Sequence, residues 1–559
     1  MHKTRHFSNF LFCALFALSL ASCGIKKSLT HLPDVSFYNG NIPERLKIND
    51  STFSVGHNFL TKNKQGLWEL FVEGDPLERG LISGRLTEEL IYKQEAVFLN
   101  KVKNLVPSEG QQKFLRKFLS WYNRKMYVYV PEEFQSELYG ISRYMSDDYD
   151  ALATPYLRAL YLHGAHDIAH ALKDLALVGC TSFAAWGEKT EDGQLLIGRN
   201  FDFYAGDDFA EDKVVSFINP DEGYKYMSIS WSGFIGVVSG MNEKGLTVTI
   251  NAGKSKTPWI AKTPISIVTR EILQYASNIE EAVAIAKKRE VFVSEAIMVG
   301  SAKDDKAVLI EVSPKNFGVY EVENYEELIC SNHFQSEAYK RDRRNNKTIE
   351  NSHSQYRYDR MLQLLSENDK LNPEKAVSVL RNMDGLNDKA IGYGNEKALN
   401  QLLAHHGIVF KPKELKVWVS SNPYQLGEFV AYDLNTVFND RSETSPTVSV
   451  SNQELNISED PFLNTQAYKN YEAYRILEAK VEQAIDHKEK LDDSTLQKLS
   501  DLNPKYWKAY YLAGLYYYNH KDYNQAFQNF EKTTHNDIAT RTEAEIVTKY
   551  LKKSKRKSR

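Results

Sequence analysis

Apolar and polar residues keep different periods in different stretches of the chain. Residues 10–21 (FLFCALFALSLA) are almost wholly apolar and follow Lys3 and Arg5. That run is too short to span a bilayer and has the layout of a signal-peptide core. Residues 23–63 are mostly polar, contain Pro33 and Pro43, and read as a tether. Residues 64–74 hold a short strand-like run, and the rest of 64–179 is mainly helical in spacing, with a helix predicted to start at Thr154 and Pro155. At Gly179-Cys180 the period drops to two. CTSFAAWG, a turn at Glu191-Asp192-Gly193 and QLLIGRNFDF predict a hairpin. More strands follow around a turn at Asn242-Glu243-Lys244-Gly245. One helix is then predicted over 264–287, helices near 354–366 and 372–382, and a strand pair over 407–433. Strands, then helices, then strands again predict an α+β domain over 180–436, not an alternating βαβ sandwich. Residues 437–461 read as a polar linker, 462–551 as a helical domain, and 552–559 (KKSKRKSR) as a basic, solvated tail.

Composition narrows the function. The chain has 559 residues, with 70 Lys+Arg against 73 Asp+Glu and a net charge of −3. A nucleic-acid partner is excluded, because phosphate neutralisation needs a basic excess. The four cysteines, at 13, 23, 180 and 330, are too few for a disulfide scaffold or a cysteine-rich zinc framework. Leu20-Ala21-Ser22-Cys23 resembles a bacterial lipobox, which implies removal of residues 1–22 and a lipid anchor on Cys23. An ordinary secretory signal cut near Ser22 is the alternative. Gly24, where an aspartate would retain the protein at the inner membrane, implies an exported lipoprotein of the outer membrane, on its periplasmic face. Cys180 and Cys330 then remain as thiols. Either they form one disulfide, or Cys180 stays free because it reacts.

Five blocks in order carry a resemblance. They are Gly179-Cys180-Thr181-Ser182-Phe183 with Leu196-Ile-Gly-Arg-Asn-Phe-Asp-Phe203; Met241-Asn242-Glu243-Lys244-Gly245-Leu246 with Asn251; Ser331-Asn332-His333; Ser354-x-x-Arg357-Tyr358; and the strands of 407–433. Upstream, Gly74-Asp75-Pro76-x-Glu78-Arg79-Gly80 resembles the start of a pro-segment of the same group. The pattern resembles N-terminal-nucleophile hydrolases of the acyl-CoA:6-aminopenicillanate acyltransferase and choloylglycine hydrolase group. It implies a four-layer αββα sandwich behind a helical pro-segment. It also implies self-cleavage between Gly179 and Cys180, since an N-terminal cysteine carries its own base in an α-amine of pKa about 7.7–8.0. Gly179 suits that cut because glycine tolerates strained backbone angles and leaves its carbonyl uncrowded. By the same resemblance, Cys180 is the nucleophile, and Asp202 orients its amine. Arg199 favours the thiolate, although Arg199 and Asp202 also read as a plain ion pair at a strand end. Asn251 and Asn332 supply oxyanion donors, and Arg357 is the late arginine, with Arg360 as the other register.

The implied reaction is cleavage of a linear N-acyl amide through a Cys180 thioester, with no cofactor and no metal. An amine acceptor in place of water gives an acyltransferase. A non-catalytic envelope scaffold is the reading from another class. It gains from residues 506–533, which resemble a tetratricopeptide repeat with Tyr510, Ala513, Gly514, Tyr517, Ala526 and Phe530 at packing positions and leave room for a protein partner. His163, His166 and His170 in HGAHDIAH lack the glutamate of a zinc protease and a third ligand, so a histidine cluster without metal is favoured. Cys330, two residues before Asn332, reads as a buried apolar cysteine or as an oxidative cap for Cys180.

Overall fold

The computed structural model describes residues 25–106, 108–172, 179–204, 206–256, 260–403, 405–439 and 449–559. The expected signal segment and Cys23 lie outside them. Two sheets form the centre. The larger has eleven strands in chain order: Arg45–Asn49, Thr52–Val55, Asn58–Lys62, Trp68–Gly74, Val214–Pro220, Tyr226–Ser230, Ser239–Asn242, Leu246–Ala252, Glu295–Ser301, Lys306–Ser313 and Asn316–Tyr320. Its neighbours are antiparallel except Trp68–Gly74 with Val214–Pro220, which run parallel. The smaller sheet has six strands, ordered Glu327–Cys330, Thr181–Ala185, Leu196–Phe201, His406–Lys411, Lys416–Ser420 and Phe429–Asp433.

Period-two alternation explains the layers, because successive side chains leave opposite faces of a strand. Ile197, Phe217, Met298, Leu309, Phe410 and Val419 fill the space between the two sheets. The outer face of the larger sheet, with Val248, Ile250, Ile297 and Ile310, packs on Ile265 and Ile272 of one helix and Ala282 of the next. The outer face of the smaller sheet, with Phe183, Leu196, Val409 and Trp418, packs on Met361, Leu365, Val377 and Leu380. Helix, sheet, sheet and helix give the four-layer α+β sandwich that the resemblance implied.

Several boundaries differ from the sequence reading. The stretch expected as a tether contributes three strands over 45–62, with Phe59 and Leu60 buried. The larger sheet therefore begins at residue 45, in the stretch expected as a tether, rather than at residue 180. The single helix expected over 264–287 is two, Ile265–Tyr275 and Ile279–Lys288. The Asn278 side chain accepts from Glu281 N (3.1 Å) and caps the second, so a polar residue that prefers caps breaks the run. The strand pair over 407–433 is three strands. The described end of the expected linker packs on the sheet, with Ser449 Oγ and Val450 N donating to Glu69. The expected tail continues the helix Arg541–Lys557.

One buried ion-pair cluster ties residues 64–179 to the sandwich. Asp75 caps the helix Pro76–Leu86 by accepting from Glu78 N at 2.8 Å. One turn on, buried Arg79 meets buried Glu137 at 2.9 Å, and Glu137 also binds Arg270 of the sandwich at 3.0 Å. A carboxylate shared by two guanidiniums offsets their burial and fixes residues 76–142 on the sandwich. The C-terminal helices form their own core around Tyr471, Tyr474, Leu499, Trp507, Leu512 and Val547. Ala513, Gly514, Ala526 and Phe530 are buried there, while Tyr510 and Tyr517 are only half-buried.

Candidate functional site

Cys180 sits one residue before the strand Thr181–Ala185, and that strand pairs with Leu196–Phe201 so that Ser182 lies opposite Arg199. The thiol is 1% exposed. Burial pushes it up to about 11, with the nearby Arg199 charge only partly offsetting the desolvation. Arg199 Nη2 is 4.0 Å from the sulfur. The guanidinium is locked by the opposite sheet: Nη1 donates to Val238 O (2.7 Å) and Ser239 Oγ, and Nη2 to Ile250 O. It also lies over the Phe201 ring. These contacts, not an ion pair with Asp202, hold it among the described residues.

Asp202 follows the strand end, where the chain turns away. Its backbone carbonyl accepts from Gly179 N at 3.2 Å, and its backbone N–H contacts the Cys180 thiol. Burial raises its carboxyl to about 7. Oδ1 accepts from Gln425 Nε2 at 3.2 Å, while Oδ2 is buried without a hydrogen-bond partner. That oxygen is an unmet buried acceptor near the Cys180 thiol.

Arg357 lies in the helix Ser354–Glu367 and is fully buried. Its Nη1 donates to Gly179 O (2.6 Å), Cys180 O (2.8 Å) and Thr181 Oγ1; Nη2 donates to Asn332 Oδ1 (2.6 Å) and Nε to His353 Nδ1 (3.2 Å). Arg360 points elsewhere, to Asn382 and Asp388, so of the two arginines it is Arg357 that reaches the Gly179–Cys180 bond. A second donor joins it: Gln401 Nε2 is 3.2 Å from Gly179 O. The carbonyl before Cys180 thus has two aimed donors, one of them cationic.

Asn251 accepts from Ser182 Oγ (2.8 Å) and donates to Cys330 O (3.2 Å), bridging the two sheets. Asn332 donates to Ala252 O at 3.0 Å. Among the described residues, each asparagine donates one amide hydrogen to protein.

Gly179 is glycine for space rather than for an unusual φ. A Cβ there would lie 1.9 Å from Gln401 Nε2. Gly179→Ala is therefore expected to push Gln401 away and to slow any reaction at this carbonyl about 100-fold. A time course of intact mass after cell-free synthesis checks this.

Gln401 and Gln425 escaped the sequence reading. Both sit in loops without periodicity, and a lone glutamine has no spacing signature. Cys180 and Cys330 are both free, so the disulfide alternative does not hold. Cys330 belongs to the apolar layer between the sheets. His163 is a core residue: Nδ1 contacts Ala159 O (2.8 Å), and Nε2 accepts from Ile235 N (2.9 Å). The side chains of His166 and His170 lie outside the described residues, among which there is no metal-holding group. An apolar cavity adjoins the site. Ile91, Phe98 and Leu162 of the pro-segment face Phe203, Trp231 and Phe234 of the sandwich across it, and Phe203 stacks on Phe201.

Residues 188–423 match the family model of acyl-coenzyme A:6-aminopenicillanic acid acyl-transferase. An uncharacterized protein of Archaeoglobus fulgidus is 28% identical over 274 residues, covering 45% of this chain and 45% of that protein. Protein dcd1B of Dictyostelium discoideum is 27% identical over 188 residues, covering 33% and 35%. The chain thus spans less than half the length of either relative. Among solved structures, the Caenorhabditis elegans ortholog of N-acylethanolamine-hydrolyzing acid amidase aligns at 19% identity, TM-score 0.31, over 42% of this chain and 93% of its own. A mutant of conjugated bile acid hydrolase from Clostridium perfringens aligns at 14% identity, TM-score 0.33, over 49% and 99%.

Proposed function

We propose that this chain, whose residues 188–423 match the acyl-coenzyme A:6-aminopenicillanic acid acyl-transferase family, is an enzyme that cleaves linear N-acyl amides through a thioester on Cys180, after cutting its own Gly179–Cys180 bond. One observation carries the proposal. The Gly179 carbonyl oxygen sits between Arg357 Nη1 (2.6 Å) and Gln401 Nε2 (3.2 Å), next to the sulfur that would attack it. Donors aimed at a carbonyl that becomes an oxyanion are how acyl transfer is accelerated.

In self-cleavage the Cys180 thiol gives its proton to Asp202 and the sulfur attacks the Gly179 carbon. The oxyanion forms between Arg357 and Gln401. The C–N bond breaks, and the proton passes to the departing nitrogen. Water then hydrolyses the Gly179 thioester, leaving a Gly179 carboxylate and a Cys180 with free thiol and amine. The orphaned Asp202 Oδ2 is the acceptor that would hold that amine. In turnover the amine takes the thiol proton, the sulfur attacks the substrate carbonyl, and the amine product leaves. Water releases the acid; an amine in its place gives acyl transfer. Asn251 and Asn332 are the candidate donors to the substrate oxyanion, and Arg199 stabilises the thiolate. Export with a lipid anchor on Cys23 belongs to the proposal, supported by the apolar run ending at Leu20-Ala21-Ser22-Cys23.

A pH profile tests the base. Asp202 is raised to about 7, so below that pH it is protonated and cannot accept the thiol proton. Self-cleavage should quicken with rising pH up to about 7 and then level off. In Asp202→Asn that inflection should vanish and the rate should be low throughout. An Asp202→Asn profile identical to wild type contradicts the assignment.

A further inference from the structure

We infer that the C-terminal helical domain is a working part of the self-cleavage site, because it holds the loop that aims Gln401 at the Gly179 carbonyl. The inference rests on Gly179–Cys180 being a self-cleaved bond. A glutamine side chain has several free torsions, and it keeps one position only where its backbone is fixed.

The segment 391–402 is fixed from two sides. The sandwich grips its end: Asn400 N donates to Asn382 O (2.9 Å), and Asn200 Nδ2 to Leu399 O (3.0 Å). The helical domain grips the rest. Asn503 Nδ2 donates to Tyr393 O (2.8 Å), and Tyr393 N returns a bond to Asn503 Oδ1 (3.2 Å). Asn395 Nδ2 donates to Asp537 O (2.9 Å). Next to Gln401, the carbonyl of Leu402 accepts from Tyr471 Oη (3.2 Å).

Leu402 carries the strongest sign of an imposed geometry. It holds φ 52°, a left-handed conformation that a branched side chain rarely adopts. It is fully buried, and its side chain belongs to the helical domain's core, beside Tyr471 and Trp507. The domain thus fixes the residue after Gln401 in a conformation the chain would not choose alone. At the other end of the segment, Gly392 lies flat on the helical domain, where a Cβ would sit 2.4 Å from Tyr506 N.

A domain that merely adds stability would not act through Gln401, so a double-mutant cycle on the full chain separates the two. Self-cleavage is followed by intact mass after cell-free synthesis. Gln401→Ala should slow it about 100-fold. Asn503→Ala, which frees Tyr393, should slow it about tenfold. Combined, they should be no slower than Gln401→Ala alone. Tyr471→Phe removes one hydroxyl, serves if Asn503→Ala does not fold, and should follow the same pattern. Phe530→Leu, which loosens the helical domain away from the segment, should lower the melting temperature and leave the rate unchanged. Wild-type rates in Asn503→Ala and Tyr471→Phe, or effects that multiply with Gln401→Ala, overturn the inference alone. A wild-type chain that never cuts overturns both it and the reading it rests on.

Discussion

Cys180→Ala is expected to give a chain that stays whole and hydrolyses no amide. Nothing near the site can replace the sulfur. Cys330 lies in the apolar layer between the sheets, and no other thiol is present among the described residues. The loss should be at least about 10⁴-fold in kcat for any substrate the wild type accepts, as for nucleophile deletions generally. The fold should survive, because the change removes one atom from a side chain that makes no structural bridge; its cost is about 1 kcal/mol. Mass spectrometry and thermal unfolding separate the two effects. A cleaved Cys180→Ala chain, or one that retains turnover, removes sulfur from the mechanism.

Arg357→Met is expected to have the second-largest effect, and it mixes function with stability. The substitution keeps the length and removes every donor. Gly179 O, Cys180 O, Thr181 Oγ1 and Asn332 Oδ1 would then lose a charged partner inside a closed core. Stranding buried acceptors costs about 1–3 kcal/mol each, so a loss of about 3–5 kcal/mol is expected after relaxation. Self-cleavage should fall by about 10³-fold, since Gln401 alone remains at the oxyanion. Arg360→Met is the matched control. It also removes a buried arginine, but one bound to Asn382 and Asp388, and it should leave the cleavage rate unchanged. Denaturant unfolding and the cleavage time course on both variants decide. Equal cleavage rates in the two would place the late arginine outside the chemistry.

The sandwich was legible in the sequence through the resemblance carried by five short motif blocks, which also named the candidate site residues. Thr181–Ala185 and Leu196–Phe201 are buried along their whole length and joined by a turn, and that local pairing alone puts Arg199 beside Cys180. Arg357 against Arg360 was not decidable from spacing. Both are buried and three apart on one helix, and only tertiary packing sends one to Gly179 and the other to Asp388. Gln401 was invisible for a similar reason. It reaches Gly179 across 222 positions of sequence, from a loop whose shape depends on a separate domain. The first strands, over 45–62, are short and interrupted by polar residues, and they pair with one another and with Trp68–Gly74, which alone reaches the rest of the sheet through Val214–Pro220 far along the chain. Backbone freedom suggests itself as the reason for a glycine at 179, but the space its side chain would need is taken by a glutamine.

The measurement closest to the central claim is the intact mass and N-terminal residue of the purified, active wild-type protein. Two fragments held together, the larger beginning at Cys180 with a free amine, are predicted. Full activity in a chain whose Gly179–Cys180 bond is unbroken would contradict the account at its root.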